Sequence, residues 1–405
     1  MHVPLFYDAT IWENAASSEE LAQDGMRRDR FLAWFGGACR TFCVSPMPQI
    51  REATFEDADA ISRLLERNGM GSLDKLAWRE RWEAYPFASE FRNVPIGWVL
   101  ETEQLSVVGN LDNIHMLYEI AGRRVKAVVA AGWTVDAEHR GKALQLMTTF
   151  FRQPGIDLCL NVTANPTTAQ ILTAMRIQRI PIPDYGTPCF WALRPRAFAR
   201  AALLRRSIRG AALLAWPAGW ALLTRDVWRR SGRGPLTSSV RRLQAFDDRF
   251  DGLWQTIGAA PGRLRAVRTS AVLEWRFRGD FRGGRAAIVV AEQGATLLGY
   301  AVLVRRKDSD LGMTLYDVAD LQAAGDDPST FRNLLLGSIG IAREEGADAL
   351  KFSTGTPAKR APADALRPYT YRLPFWQQYF KTASQDLAEE LSTADAWDFS
   401  WFDGF

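Results

Sequence analysis

Apolar positions recur with two periods along this chain, and the switches between them lay out its elements. Residues 125–135 are a β-rich run and residues 136–142 a tight polar turn. Ala143, Leu144, Met147, Phe150 and Phe151 then fall on one face of a helical pattern. A second apolar run, residues 156–162, leads into Asn165-Pro166 and another helical pattern. Upstream, residues 50–53 predict a short strand. Thr54, with Asp57 three positions on, predicts a capped helix over 55–67. Residues 73–85 predict a tryptophan-bearing helix. Residues 96–101, 104–110 and 115–120 predict successive strands, with Gly109, Asn110, Asp112 and Gly122 supplying turns. Residues 186–193 predict a last strand.

The next stretch breaks this pattern. Residues 210–223 (GAALLAWPAGWALL) are the most apolar run of the chain, flanked by Arg205, Arg206 and Arg209 on one side and Arg225, Arg229 and Arg230 on the other. About 20 apolar residues are needed to span a bilayer, so this run is too short, and Pro217 and Gly219 interrupt it. It reads as a buried connector helix or as an interfacial anchor with Trp216 and Trp220 at a headgroup boundary. Residues 231–239 read as a linker.

The last third repeats the earlier order. A helix is predicted over 241–254, an aromatic segment over 272–277, and a hairpin about Gly294 from residues 286–291 and 297–304. A strand over 314–319, a helix over 329–344 and a strand over 349–353 follow. The boundaries expected are an N-terminal extension over 1–46, one domain over 47–196, a helical connector over 197–239 and a second domain over 240–405.

Composition narrows the class. The chain has 405 residues, 47% hydrophobic and 24% charged, which fits a globular protein long enough for two domains. A net charge of +4 does not by itself point to nucleic acid, and none is expected as a partner. Cys39, Cys43, Cys159 and Cys189 have neither disulfide-framework nor zinc spacing, which fits a reduced cytoplasm. With three histidines a His-rich metal centre is not expected. The first residues lack the charged and apolar regions of a secretory signal.

The first stretch carries the candidate chemistry. A strand, a basic glycine-containing turn and a helix start direct free N–H groups and a positive dipole end into one small space. That suits a pyrophosphate. Arg140-Gly141-Lys142-Ala143-Leu144-Gln145 resembles the Arg/Gln-x-x-Gly-x-Gly/Ala turn of the GNAT acyltransferase superfamily. Arg140 and the Arg-Gly pair match, whereas Ala143 and Gln145 replace the later small residues. The resemblance covers roughly residues 50–195. It implies an α/β (α+β) fold with a mixed central sheet flanked by helices. The repeated order implies a second copy, degenerate because ADLQAAGDDPST follows its third strand where the basic turn would stand. The layout, the VLEWRF segment and the Trp401-Phe402-Asp403-Gly404 ending also resemble tandem GNAT-like acyltransferases of bacteria.

The resemblance implies acetyl-CoA or another acyl-CoA as cosubstrate, and a small-molecule primary amine as acceptor, with an amino sugar of surface polysaccharide synthesis one candidate. It places the phosphates on Arg140, Gly141, Lys142, Ala143 and Leu144, and the pantetheine arm on the backbone of Val135 and near Asn165. Asn165 before Pro166 is also a good helix N-cap by residue type alone. Where the family often carries a tyrosine acid, this chain has Thr173, a far weaker acid. Acyl transfer also needs a base or water to take the amine proton. Glu101, Glu119 and Asp136 are the candidates, with Glu119 first. His115 and His139 read as surface groups, and Tyr118 and Trp98 as core or acceptor-cleft aromatics. Two other readings stand beside this one. A Fem-type aminoacyl or peptidyl transferase shares tandem GNAT-like domains but needs no pyrophosphate turn. A catalytically degenerate scaffold binding a partner, or the membrane face through residues 205–230, would explain Thr173, Ala143 and Gln145.

Overall fold

The computed structural model of the chain describes residues 48–230, 239–258, 262–308, 312–372 and 377–404. The extension expected over 1–46 lies outside them, as does all but the last residue of the linker expected over 231–239. The described residues form two compact units, one drawn from residues 48–79, 95–112 and 132–149, the other from residues 80–94, 113–131 and those after 149.

In the first unit, β1 (Gln49–Glu52) leads through a 3-10 turn into α1 (Ala58–Arg67). Thr54 and Asp57 form the capping box expected of them, with the Thr54 N–H donating to Asp57 Oδ2 at 2.8 Å. Next come α2 (Lys75–Glu83), β2 (Gly97–Glu101), β3 (Val107–Ile120) and β4 (Arg123–Val135). β2 pairs antiparallel with β1 and with the first half of β3. The strands expected over 104–110 and 115–120 are thus one strand, because the turn-forming residues between them are satisfied inside it. Asn110 Nδ2 donates to Asp112 Oδ1 at 3.0 Å and to the Gly132 carbonyl at 3.2 Å, and Trp78 Nε1 donates to Asp112 Oδ2 at 3.2 Å. Gly132 turns β4 at φ +59°, and a Cβ there would press on these same Asn110 and Asp112 side chains. After a 3-10 turn over Ala137–Lys142 comes α3 (Ala143–Arg152). Its buried face holds Leu146, Met147, Phe150 and Phe151; Leu144, expected on that face, is 49% exposed.

The second unit continues β3 and β4, joined at Ala121-Gly122, both with positive φ. It adds β5 (Leu158–Ala164), α4 (Pro166–Ala174), β6 (Gln178–Arg179), β7 (Cys189–Ala192), α5 (Pro195–Arg205), α6 (Ala211–Arg230) and β8 (Ser239–Leu243). Then come α7 (Arg249–Gly258), β9 (Arg265–Ala266), α8 (Ser270–Arg282), β10 (Ala286–Gln293), β11 (Thr296–Asp308), β12 (Met313–Ala323) and α9 (Pro328–Glu344). β13 (Ala349–Phe352), α10 (Pro357–Ala365), β14 (Tyr369–Thr370), β15 (Gln377–Thr382) and α11 (Gln385–Glu390) complete it.

Two sheets meet these helices. One runs β3-β4-β5-β15-β6 within this unit, with β9 beside β3; the other runs β14-β7-β13-β12-β11-β10-β8. Each is mixed. β4 and β5 are parallel from Ala127↔Leu158 to Val129↔Leu160, and β12 and β13 are parallel from Leu315↔Ala349 to Val318↔Phe352. The order of three antiparallel strands, a helix and a parallel strand therefore occurs twice, as β2-β3-β4-α3-β5 and as β10-β11-β12-α9-β13. The last strands are exchanged. β7 pairs antiparallel with β13, and β15 with β5. The helix expected over 241–254 is instead β8 followed by α7. β8 pairs with β10, and Arg241 is ion-paired to Glu292 across that edge. Val240 packs against α9 at Gly337, where an added Cβ would overlap Val240 Cγ1. An apolar core built on Val289, Leu303, Val318, Phe331, Leu335 and Leu350 among others packs against this second sheet.

Candidate functional site

The basic turn lies in the first unit, between the end of β4 and the start of α3. Val135 is buried against Gly109, where a Cβ would sit 3.2 Å from Val135 Cγ2 and 3.3 Å from Leu146 Cδ1. The next residue, Asp136, anchors the turn. Its N–H donates to the Val108 carbonyl at 2.8 Å, and its carboxylate accepts from Arg67 Nη2 at 2.6 Å and Asn68 Nδ2 at 2.8 Å. Burial works against the charged carboxylate, but these bonds from Arg67 and Asn68 hold it below the usual range.

That clamp decides what the helix start can bind. Asp136 spends its charge on Arg67, and its side chain does not cap the turn that follows. Arg140 and Gly141 are exposed and Lys142 half-buried; neither basic side chain has a hydrogen-bond or ion-pair partner among the described residues. A Cβ on Gly141 would meet nothing within 4 Å. Two free cations at the N-terminus of a ten-residue helix suit a phosphate group. The cradle is narrower than an open loop, because the Ala143 N–H donates to the Arg140 carbonyl.

The start of α9 differs. There Asp327 accepts from the Thr330 N–H at 2.8 Å and the Ser329 N–H at 3.4 Å. The chain's own carboxylate fills the positive end of that helix. Asp326 beside it is held by Arg263 at 2.6 Å and Arg265 at 3.0 Å.

The three candidate bases separate by their partners. Glu101 accepts two bonds from Arg51, at 3.0 and 2.7 Å, which hold its carboxyl below the usual range. Asp136 is committed to Arg67. Glu119, in the second unit, is half-buried and has no hydrogen-bond partner among the described residues. Burial holds its carboxyl above the usual range, with Arg124 pulling it down. It faces α7 at Gly258, where a Cβ would lie 2.8 Å from Glu119 Oε2.

The other expected residues of the second unit have structural partners. Asn165 Oδ1 accepts from the Thr168 N–H at 2.8 Å, capping α4 with Pro166 at its first turn. Thr173 Oγ1 donates to the Ala169 carbonyl at 2.8 Å and lies 3.2 Å from the Tyr379 hydroxyl. Tyr379 of β15 was not anticipated; it follows Thr173 by 206 positions, and only the pairing of β15 with β5 brings the two together. Its own hydroxyl donates within this cluster, 2.8 Å from Gln377 Oε1. His115 is buried and stacked on Phe91, with ring centroids 4.8 Å apart, rather than at the surface. Tyr118 and Trp98 are core residues, and the Tyr118 hydroxyl donates to Asp403 at 2.8 Å.

No protein-family model matches the chain, and no curated protein matches it by sequence. Solved structures do match. A GCN5-related N-acetyltransferase from Anabaena variabilis aligns with a TM-score of 0.53 at 12% identity, over 83% of this chain and 73% of that one. A GCN5-related N-acetyltransferase from Kribbella flavida aligns at 0.50 and 17%, over 84% and 72%. The Saccharomyces cerevisiae N-myristoyltransferase, solved with bound myristoyl-CoA, aligns at 0.51 and 12%, over 85% and 81%. At these identities the likeness is one of fold: the chain has the fold of the GCN5-related N-acetyltransferases.

Proposed function

We propose that this protein is an acyl-CoA-dependent N-acyltransferase. The observation that carries the proposal is the unpaired basic turn at the start of α3, on a chain with this fold. Arg140 and Lys142 hold the pyrophosphate, supported by the helix dipole. Arg67 contributes indirectly, by neutralising the Asp136 carboxylate that would otherwise repel the phosphates. The Val135 backbone and Asn165 are assigned to the pantetheine arm. The start of α9, filled by Asp327, takes no second CoA.

Transfer follows from simple chemistry. A neutral primary amine attacks the thioester carbonyl carbon, the C–N bond forms and the C–S bond breaks. The amine proton passes to a base and the thiolate takes a proton from water. Glu119, the one of the three candidates whose carboxylate has no hydrogen-bond partner among the described residues, is the proton acceptor to test first; it lies at the hairpin end of β3, eleven positions from the Val108 that bonds Asp136. Acetyl is the proposed acyl group and an amino sugar the first acceptor to try.

The test is thiol release from acetyl-CoA across a panel of amino sugars and small amines. Amine-dependent release that falls by about a hundredfold in Glu119→Gln supports both roles. No acylation of any amine, or release unaffected by Glu119→Gln, removes the corresponding assignment.

A further inference from the structure

α5 and α6 form a helical hairpin that is apolar on the wrong side for a core element. Gly219 of α6 approaches the Arg196 backbone of α5 so closely that a Cβ would lie 2.9 Å from Arg196 Cα. The inward stripe of α6 is made of small residues, Ala211, Ala215 and Gly219. The large apolar residues point outward: Leu213 is 83% exposed, Trp216 52% and Trp220 57%. At a spacing of three and four, these share one helical face with Pro217. Leu214 and Ile208 extend the exposed apolar area. An ordinary surface helix has the reverse arrangement.

The charge beside this face is mostly positive, although Arg205 lies 3.8 Å from Asp308 and Asp226 follows further along α6. Residues 195–225 contain six arginines and no aspartate or glutamate. Some of these are engaged: Arg196 lies over the Trp216 ring, Arg205 over Tyr371 and Arg225 over Tyr369. Arg206 and Arg209, at the end of α5 and in the turn after it, are exposed, and their side chains have no partner among the described residues. Exposed leucine and tryptophan beside unpaired arginine match the two layers of a lipid surface, acyl chains and anionic headgroups. No helix among the described residues is long and apolar enough to cross a membrane. We propose that this hairpin docks the protein peripherally on an anionic lipid bilayer, with Trp216 and Trp220 at the acyl boundary and Arg206 and Arg209 on headgroup phosphates. Nucleic acid would use the arginines but leave Leu213 and the tryptophans unexplained.

Flotation of the full chain with phosphatidylcholine vesicles, with or without a third of phosphatidylglycerol, tests the proposal. The protein should float with the anionic vesicles and little with the neutral ones, and high salt should weaken its binding. Arg206→Glu/Arg209→Glu and, separately, Trp216→Ala/Trp220→Ala should each reduce partitioning by about tenfold or more. All four positions are exposed, so unchanged thermal midpoints confirm that the variants fold. Failure of the wild-type chain to float with anionic vesicles overturns the proposal. So does flotation unchanged in both variants. Binding of an RNA homopolymer that depends on the arginines and competes with the vesicles, with the tryptophans dispensable, would replace lipid with nucleic acid as the partner.

Discussion

Single carboxylates take opposite fates according to what faces them. Glu101 and Asp136 are spent on arginines, whereas the Glu119 carboxylate is half-buried with no hydrogen-bond partner among the described residues. Its raised pKa means that it ionises later than an ordinary glutamate as pH rises. If it is the base, the acid limb of the kcat/KM profile should lie above the usual glutamate range and vanish in Glu119→Gln. A limb unchanged in that variant would remove Glu119 from the mechanism. Asp398 shows the other extreme. It is fully buried, ion-paired to Lys359 and 3.4 Å from Arg265 Nε. Burial opposes its charge, but Lys359, Arg268 and Arg265 hold its carboxyl far below the usual range. A depressed pKa in the folded state gives stability that is complete above the unfolded value of about 3.9 and is lost as pH falls below it. Asp398→Asn should cost about 3–5 kcal/mol in urea unfolding, since it strands buried Lys359. Lys359→Met/Asp398→Leu should cost less than the sum of its single changes. Additive costs would show that the two groups do not compensate each other.

Elements were legible in the sequence where one local pattern decides them. β4, the basic turn, α3, the hairpin of β10 and β11, and α9 follow their periodicities to within a few residues. They fail where a distant partner overrides the local signal. Asn110 and Asp112 look like turn residues, yet Trp78 and the Gly132 carbonyl satisfy them inside a continuous strand. Residues 241–254 alternate too briefly to announce β8, whose existence rests on pairing with β10 and on the space that Gly337 leaves for Val240. Gly337→Ala should therefore destabilise the protein by about 1–3 kcal/mol, although alanine favours a helix. A stabilised Gly337→Ala protein in thermal unfolding would mean that β8 does not pack there. Among candidate site residues, the setting of the basic turn between a strand and a helix was readable. The pairing of Asp136 with Arg67 was not, because 69 positions separate them.

At the scale of the whole molecule, the repeated order of strands was visible in the sequence, but the exchange of β7 and β15 was not. Each is a short strand, of four or six residues, whose partner lies more than a hundred positions away. The two copies of the order then diverge at one helix start. α3 opens on an arginine and a lysine with no side-chain partner among the described residues, α9 on its own aspartate. We propose that this difference makes the first copy the acyl-CoA binder, and isothermal calorimetry with acetyl-CoA on the full chain decides it. One equivalent should bind, with affinity at least about tenfold weaker in Arg140→Glu, a change of about 1.4 kcal/mol, and little altered in Asp327→Asn. Absence of binding to the wild-type chain, or affinity unchanged in a folded Arg140→Glu protein, would contradict it.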